Sequence, residues 1–180
     1  WQIVRTEHFD VYYYDGSEDV ADAGCRIVEE SNDHLSDLFG HELTTVIPVI
    51  VYASHNEFQQ TNVLSSHVGE GVGGFTELFK NRVVIPFTGS YYELRHVIHH
   101  EMTHVFMFDI VYRGLAESVI RQAYFNPVPL WFAEGLAEFA SQGWYTQAEM
   151  ILRDLTIADA VVPLEYLSGG YLVYKEGQSA

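Results

Sequence analysis

Neither proline nor glycine interrupts the run Tyr91-Tyr92-Glu93-Leu94-Arg95-His96-Val97-Ile98-His99-His100-Glu101-Met102-Thr103-His104-Val105-Phe106-Met107-Phe108, which therefore predicts one long helix. Apolar residues recur in this run at three- and four-residue spacings, as in a buried helix: Leu94, Val97, Ile98, Val105 and Phe108. Glu101 falls on the same apolar stripe, where a carboxylate is costly to ionise unless a cation or a hydrogen bond offsets its burial. The run thus predicts a core helix that carries a functional carboxylate.

Inside that helix, His100, Glu101 and His104 form the pattern His-Glu-x-x-His. Positions four apart share one face of a helix, so the two imidazoles can bind one metal ion. Glu101 projects about 100° round the helix from His100 and can reach a water beside that ion. The pattern is that of zinc hydrolases, and it predicts His100 and His104 as zinc ligands with Glu101 as the general base. The alternative is a surface helix that carries several of the 9 histidines by chance.

A third ligand is expected because catalytic zinc normally has three protein ligands and one open position. A second apolar helix, predicted over 129–139, contains two carboxylates four residues apart, Glu134 and Glu138. An acidic pair among apolar residues needs a cation or hydrogen-bond donors. We therefore expect Glu134 to be the third ligand and Glu138 to accept the free ring N–H of a ligand histidine. Two solvated glutamates on an amphipathic helix are the alternative.

His100-Glu101-x-x-His104 followed by Trp131-Phe132-Ala133-Glu134-Gly135-Leu136-Ala137 resembles the gluzincin branch of the zinc peptidases. It is most similar to the bacterial peptidase-MA-like domains that often lie beside β-propeller repeats. The resemblance implies a zincin-like fold, with Glu134 as the zinc ligand and Glu138 as the support of a ligand histidine. The sequence lacks the Gly-x-Met-Glu-Asn segment of exopeptidases, so N-terminal trimming is not implied.

The resemblance also implies an edge strand that pairs with extended substrate above the metal. Two segments lie in the expected place, 75–79 and 83–87. On this basis Gly74, Phe75 and Thr76 are expected to contact substrate.

The segment Tyr174-Lys175-Glu176-Gly177 resembles the Tyr-x-x-Gly segment of aminopeptidase-like gluzincins, whose tyrosine stabilises the oxyanion. Tyr174 is therefore the expected oxyanion donor, and Tyr171 is the second choice. A core tyrosine on the last helix is an equally good interpretation of either residue. Among the other candidates, His96 lies one turn before His100, a position compatible with the cleft, and His99 points elsewhere. A supporting or surface role is the favoured interpretation of both histidines. Asp109 lacks the sequence context of a metzincin ligand.

Strand and helix signals predict an α+β fold, with a small mixed α/β subdomain over 1–90 and a helical subdomain over 91–180. The predicted elements are strands over 1–14, 46–52, 75–79 and 83–87, a helix from Ser17 to about Phe39, a short helix or loop over 55–61, and helices from Tyr91 onward with breaks at Gly114, Asn126-Pro127, Gly143 and Pro163. Ser17 is expected to cap the first helix and Gly40 to end it, while Pro48 suggests a sheet edge or a bulge. The whole chain is expected to be one peptidase-MA-like domain, truncated at its C-terminus, with a β-propeller or another domain beyond it.

Composition narrows the class of protein further. The net charge of −16 argues against a nucleic-acid partner, whose phosphates it would repel. The sequence contains no apolar run of the roughly 20 residues that a membrane span needs. Cys25 is the single cysteine and is expected to be a small buried thiol, so an internal disulfide is excluded. We expect a periplasmic or extracellular protein, with the cytoplasm as the alternative.

Together these residues predict zinc-dependent hydrolysis of a peptide or protein substrate, with one Zn²⁺ per chain and an endopeptidase as the expected type. The first alternative is a catalytically inactive, zinc-binding peptidase-like module that serves protein interaction. The second is a hydrolase that uses the same site on a different carbonyl, because fold does not choose the substrate.

Overall fold

The computed structural model describes residues 1–60, 73–77, 81–112 and 128–167, which form a mixed α+β fold. The strands are β1 (Gln2–Arg5), β2 (Phe9–Tyr13), β3 (Ile47–Tyr52), β4 (Phe75–Glu77) and β5 (Arg82–Pro86). The helices are α1 (Glu18–Phe39), α2 (His55–Gln59), α3 (Tyr91–Tyr112), α4 (Leu130–Gln142), α5 (Thr146–Ile157) and α6 (Leu164–Leu167). The predicted α+β class is confirmed: the strands lie in the first half of the chain together with α1 and α2, and every element described after β5 is a helix.

The five strands form one mixed sheet in the order β1-β2-β3-β5-β4. The inner pairs β2–β3 and β3–β5 are parallel, whereas β1 and β4 are antiparallel edge strands. Of the two segments predicted as the substrate edge, only the first supplies an edge strand, β4. The prediction of 83–87 as an edge strand was wrong, because this segment belongs to β5, which lies between β3 and β4. Its fully buried residues Val83, Val84 and Ile85 cover both faces, as expected for an inner strand.

Pro48 lies in the central strand β3, so the predicted edge or bulge was wrong. Ile47 donates its N–H to His8 at 3.0 Å, on the β2 side. Because successive residues of a strand bond to opposite sides, the missing N–H of Pro48 faces β5, whose pairing begins only at Val49. The proline is tolerated because it sits one residue before that ladder starts.

Helix α1 has the predicted limits but not the predicted cap. Ser17 occupies the N-cap position, yet its side chain makes no capping hydrogen bond. At the other end Gly40 adopts the left-handed conformation, with φ 60°, and donates its N–H to Ser36. The helix therefore ends at the predicted residue, because glycine adopts the left-handed conformation that closes the last turn without steric strain.

Helix α3 packs between the sheet and α1 on one side and α4 on the other. Its fully or almost fully buried apolar residues are Leu94, Ile98, Met102, Val105 and Phe106. Glu101 is buried among them with 6% of its surface exposed. Burial extends beyond the predicted stripe because α3 is covered on more than one side.

The helices after α3 follow the predicted breaks where the structure describes them. Gly143 is the residue at which α4 ends, and Pro163 directly precedes α6. Gly114 and Asn126-Pro127 lie outside the described residues. None of the described helices is long and apolar enough to cross a membrane, in agreement with the sequence.

Candidate metal centre

Helix α3 presents His100 and His104 on the side that faces α4. The two rings lie one helical turn apart, with their centroids separated by 5.0 Å. His104 is buried and stacks against Phe108, whereas His100 is half-buried. The four-residue spacing therefore does what the sequence predicted and brings the two imidazoles side by side.

Glu134 of α4 completes a group of three potential metal ligands. Its Oε2 lies 3.3 Å from Nε2 of His100, and its Oε1 lies 3.7 Å from Nε2 of His104. One ligand atom from each residue lies within 4.8 Å of the others. Two ligands of a tetrahedral zinc ion, each about 2.0–2.1 Å from it, are about 3.4 Å apart. The two distances from Glu134 are close to this value, and two imidazoles with one carboxylate are a donor set that zinc accepts.

Electrostatics in this group favour a charged carboxylate beside the two rings. Hydrogen bonds from His100 and His104 lower the pKa of Glu134 to about 2. Burial by itself lowers the pKa of His100, but the carboxylates of Glu134, Glu101 and Glu138 outweigh burial and raise it. The Glu134 side chain is 52% exposed, so the group opens to solvent on that side.

Glu138 lies behind the ligands and joins several polar side chains. Its Oε2 is 3.5 Å from Nδ1 of His100 and 3.6 Å from Nε2 of His96. Gln142 donates to Oε1 of Glu138 at 2.7 Å, and its amide nitrogen lies 3.1 Å from Nε2 of His96. The Tyr145 hydroxyl also donates to Glu138, and this bond raises the pKa of Tyr145. Glu138 thus sits beside the ring nitrogen of His100 that faces away from Glu134.

Glu101 accepts a hydrogen bond from the edge strand. Thr76 of β4 donates from Oγ1 to Oε2 of Glu101 at 2.7 Å. Burial raises the pKa of Glu101, while the Thr76 hydrogen bond and the charges of His104 and His100 oppose that rise. The carboxylate is therefore held in a poorly solvated place beside the candidate ligands.

These groups line one cleft of about 480 Å³ between β4, α3 and α4. The three residues predicted to contact substrate, Gly74, Phe75 and Thr76, form one wall of it. The remaining lining residues are Gly73, His96, Val97, His100, Glu101, His104, Phe108, Leu130, Ala133, Glu134 and Glu138. All predicted site residues in the described part of the chain therefore meet in a single cavity.

Other residues considered from the sequence lie elsewhere. Tyr174 and Tyr171 are outside the described residues. His99 faces α1, where its ring centroid is 6.1 Å from that of His34, while His96 faces the cleft. Asp109 lies 2.7 Å from Nε2 of His41 in the segment after α1, so it ties α3 to that segment and is not among the cleft residues.

Three contacts of the site were not predicted. Gln142 follows Glu138 by four residues on α4, so the helical spacing was a sufficient signal for that neighbour. The bond from Thr76 to Glu101 joins residues on different elements, and no pattern within the sequence indicates it. Tyr145, which follows the break at Gly143, is likewise brought to Glu138 by the path of the chain.

A comparison with family models finds no match for the chain, and comparisons with curated proteins and with solved structures find none either.

Proposed function

We propose that the chain is a gluzincin-type zinc peptidase, which binds one Zn²⁺ through His100, His104 and Glu134 and uses Glu101 as its general base. The observation that carries this proposal is the meeting of three ligand atoms from two helices, within 4.8 Å of one another, beside a buried carboxylate in one cleft.

The ligand set supports a catalytic rather than a purely structural ion. Two imidazoles and one carboxylate supply three protein ligands, and a fourth position is left for water or substrate. Structural zinc sites are usually closed by four protein ligands instead. The half-exposed side chain of Glu134 keeps this group accessible from the cleft.

The protein's own groups have separate tasks in this reaction. When bound, zinc supplies the Lewis acid that makes water nucleophilic at neutral pH and polarises the substrate carbonyl. Glu101 takes the proton that water loses as it attacks the carbonyl carbon, and returns it to the amine that leaves. Glu138 holds His100 in the orientation and tautomer that a ligand needs.

Strand β4 is suited to hold the substrate. It is an edge of the sheet with β5 on one side, and it forms a wall of the cleft next to Glu101. An extended peptide can add to such an edge through main-chain hydrogen bonds, which tolerate many side chains. This mode of binding does not require a chain terminus, so we propose an endopeptidase.

The presence of Glu101 favours hydrolysis over the alternative of an inactive zinc-binding module. A module that only binds zinc has no use for a carboxylate buried to 6% exposure, which is costly to keep ionised there. A hydrolase, in contrast, needs such a carboxylate beside the metal ligands as its general base.

The variant Glu101→Gln tests the proposal, because it keeps the size of the side chain and removes the base. Both proteins are purified without chelator, zinc is measured by plasma mass spectrometry, and turnover is measured on a library of fluorogenic peptides. We expect about one zinc per chain in each protein and a loss of turnover of about 100-fold or more in the variant.

Glu149→Gln is the matched control, because Glu149 bonds to Trp144 and Arg153 outside the cleft and undergoes the same chemical change. It should hydrolyse peptides like the wild type. Equal turnover in wild type and Glu101→Gln would contradict the proposed base. Zinc in the wild type, without hydrolysis of any peptide, would favour the inactive module.

A further inference from the structure

We propose that Thr76 is a positioning residue, whose hydroxyl fixes the carboxylate of Glu101 so that one oxygen stays available to accept the proton from water. This inference rests on the proposed function, because it assigns Glu101 the role of the base. It adds a task for β4, which then orients the base as well as holding the substrate.

The register of the sheet determines where Thr76 points. Thr76 pairs with Val83 and Phe75 pairs with Val84 across the β4–β5 ladder. Side chains of paired residues project from the same face of a sheet. Val83 belongs to the core that includes α3, whereas Val84 and Phe75 belong to a separate cluster on the other face. The period of two along β4 therefore directs Thr76 towards Glu101 on α3.

Gly74 makes the approach of the strand to the helix possible. It lies two residues before Thr76 and so on the same face of the strand. A Cβ at this position would lie 2.9 Å from Cγ1 of Val97 and 3.3 Å from Cγ of Glu101. With no side chain at position 74, β4 comes close enough for the short side chain of Thr76 to reach the carboxylate.

The geometry of the hydrogen bond assigns different roles to the two carboxylate oxygens of Glu101. Thr76 has one hydroxyl proton and two acceptors within reach, Oε2 of Glu101 at 2.7 Å and the main-chain oxygen of Glu101 at 3.1 Å. A carboxylate is the stronger acceptor, and the shorter distance agrees with a charge-assisted bond. Oε2 is thereby engaged, and Oε1 is the oxygen that receives the proton.

Orientation matters here because the reacting groups must be aligned before the proton moves. A general base works only within hydrogen-bond reach of the proton that it removes. Glu101 is buried to 6% exposure, so the loss of a hydrogen-bond partner of its carboxylate is only partly compensated by water. Thr76 supplies that partner from β4, the strand that is proposed to hold the substrate. Both substrate binding and the alignment of the base therefore depend on β4.

Thr76→Val removes the hydroxyl and keeps the shape, while Thr76→Ser keeps the hydroxyl. Thr88→Val is the matched control, because Thr88 donates the same kind of bond to Glu93 outside the cleft. We measure kcat, KM and zinc content, and we measure the carboxyl ¹³C resonance of Glu101 without substrate, assigned with Glu101→Gln. In Thr76→Val we expect kcat about tenfold lower, with KM and zinc content within about twofold of the wild type. Thr76→Ser should recover kcat to within about threefold, and Thr88→Val should match the wild type.

The two measurements separate this inference from the proposed function. If neither the wild type nor any variant hydrolyses peptides, the proposed function fails. The Glu101 resonance alone then decides whether Thr76 positions the carboxylate. A shift of that resonance in Thr76→Val, absent in Thr88→Val, supports the role. An unchanged resonance, a wild-type kcat in Thr76→Val, or a Thr76→Ser variant as slow as Thr76→Val overturns it.

Discussion

Gly74 is a residue of the site at which a side chain has no room. Its missing side chain leaves room for Val97, for Glu101 and for the carbonyl oxygen of Val84, which would lie 2.9, 3.3 and 3.3 Å from an added Cβ. Val97 is β-branched and therefore stiff, so it cannot easily turn away. A single methyl group here pushes the edge strand and the helix of the base apart.

Gly74→Ala is therefore expected to lower the free energy of unfolding by about 1–3 kcal/mol, the usual cost of overpacking. Gly135→Ala is the matched control, since nothing lies within 4 Å of its added Cβ and it sits inside α4. It should raise the free energy of unfolding by about 0.5–1 kcal/mol, because alanine is the better helix former. Urea titrations measure both. Combining Gly74→Ala with Val97→Ala should cost less than the sum of the two single changes, and strict additivity would argue against the clash.

At the scale of elements, the sequence predicted what depends on spacing within one helix. His100 and His104 on α3, and Glu134 and Glu138 on α4, were predicted because four residues make about one turn. Contacts between elements were predicted less well. Thr76 reaches Glu101 only because β4 takes the edge position beside α3, and strand order is not encoded in any local pattern.

The junction between β2 and α1 contains an ion pair with a definite pH dependence. Nδ1 of His8 lies 2.7 Å from Oε2 of Glu29, whose Oε1 accepts the main-chain N–H of His8 at 3.0 Å. The bond to Glu29 raises the pKa of His8 against burial, and the charges of Glu7 and Asp33 add to that rise. Burial opposes ionisation of Glu29, but hydrogen bonds from Thr6 and His8 outweigh it and lower the pKa of Glu29.

We expect this pair to stabilise the fold most between the pKa values of the two groups in the unfolded chain, about 4.5 and 6.5. The contribution of His8 to the free energy of unfolding is complete below about pH 6.5 and is lost as the pH rises through the raised pKa of His8. The contribution of Glu29 is complete above about pH 4.5 and is lost as the pH falls through the lowered pKa of Glu29. The difference in unfolding free energy between wild type and His8→Gln should therefore be larger at about pH 5.5 than at about pH 8.5, by about 1 kcal/mol or less. Urea titrations at both pH values measure it. The difference should become smaller in a Glu29→Gln background, where only the charges of Glu7 and Asp33 still raise the pKa of His8.

At the scale of the whole molecule, the candidate metal ligands come from two helices, α3 and α4, whose described residues are buried to very different extents. The described core lies in the sheet, α1 and α3, whereas the buried residues of α4 are the small Ala133 and Ala137. None of the described side chains of α5 is buried. Glu134 meets His100 and His104 across the α3–α4 contact, so an ion bound there would link α4 to the rest of the fold.

Chelation should therefore lower the stability of the whole chain and not only its activity. At free zinc 1,000 times above Kd, binding adds about 4.1 kcal/mol to the free energy of unfolding. For a chain of 180 residues each kcal/mol corresponds to about 2–4 °C in Tm, so removal of zinc should lower Tm by about 8–16 °C. Calorimetry with zinc and with EDTA measures this shift. Glu134→Ala removes the proposed ligand on α4 and should show almost no difference between the two conditions. The Glu149→Gln control should behave like the wild type. Equal Tm values for the wild type with zinc and with EDTA would exclude a tightly bound ion that links α3 to α4.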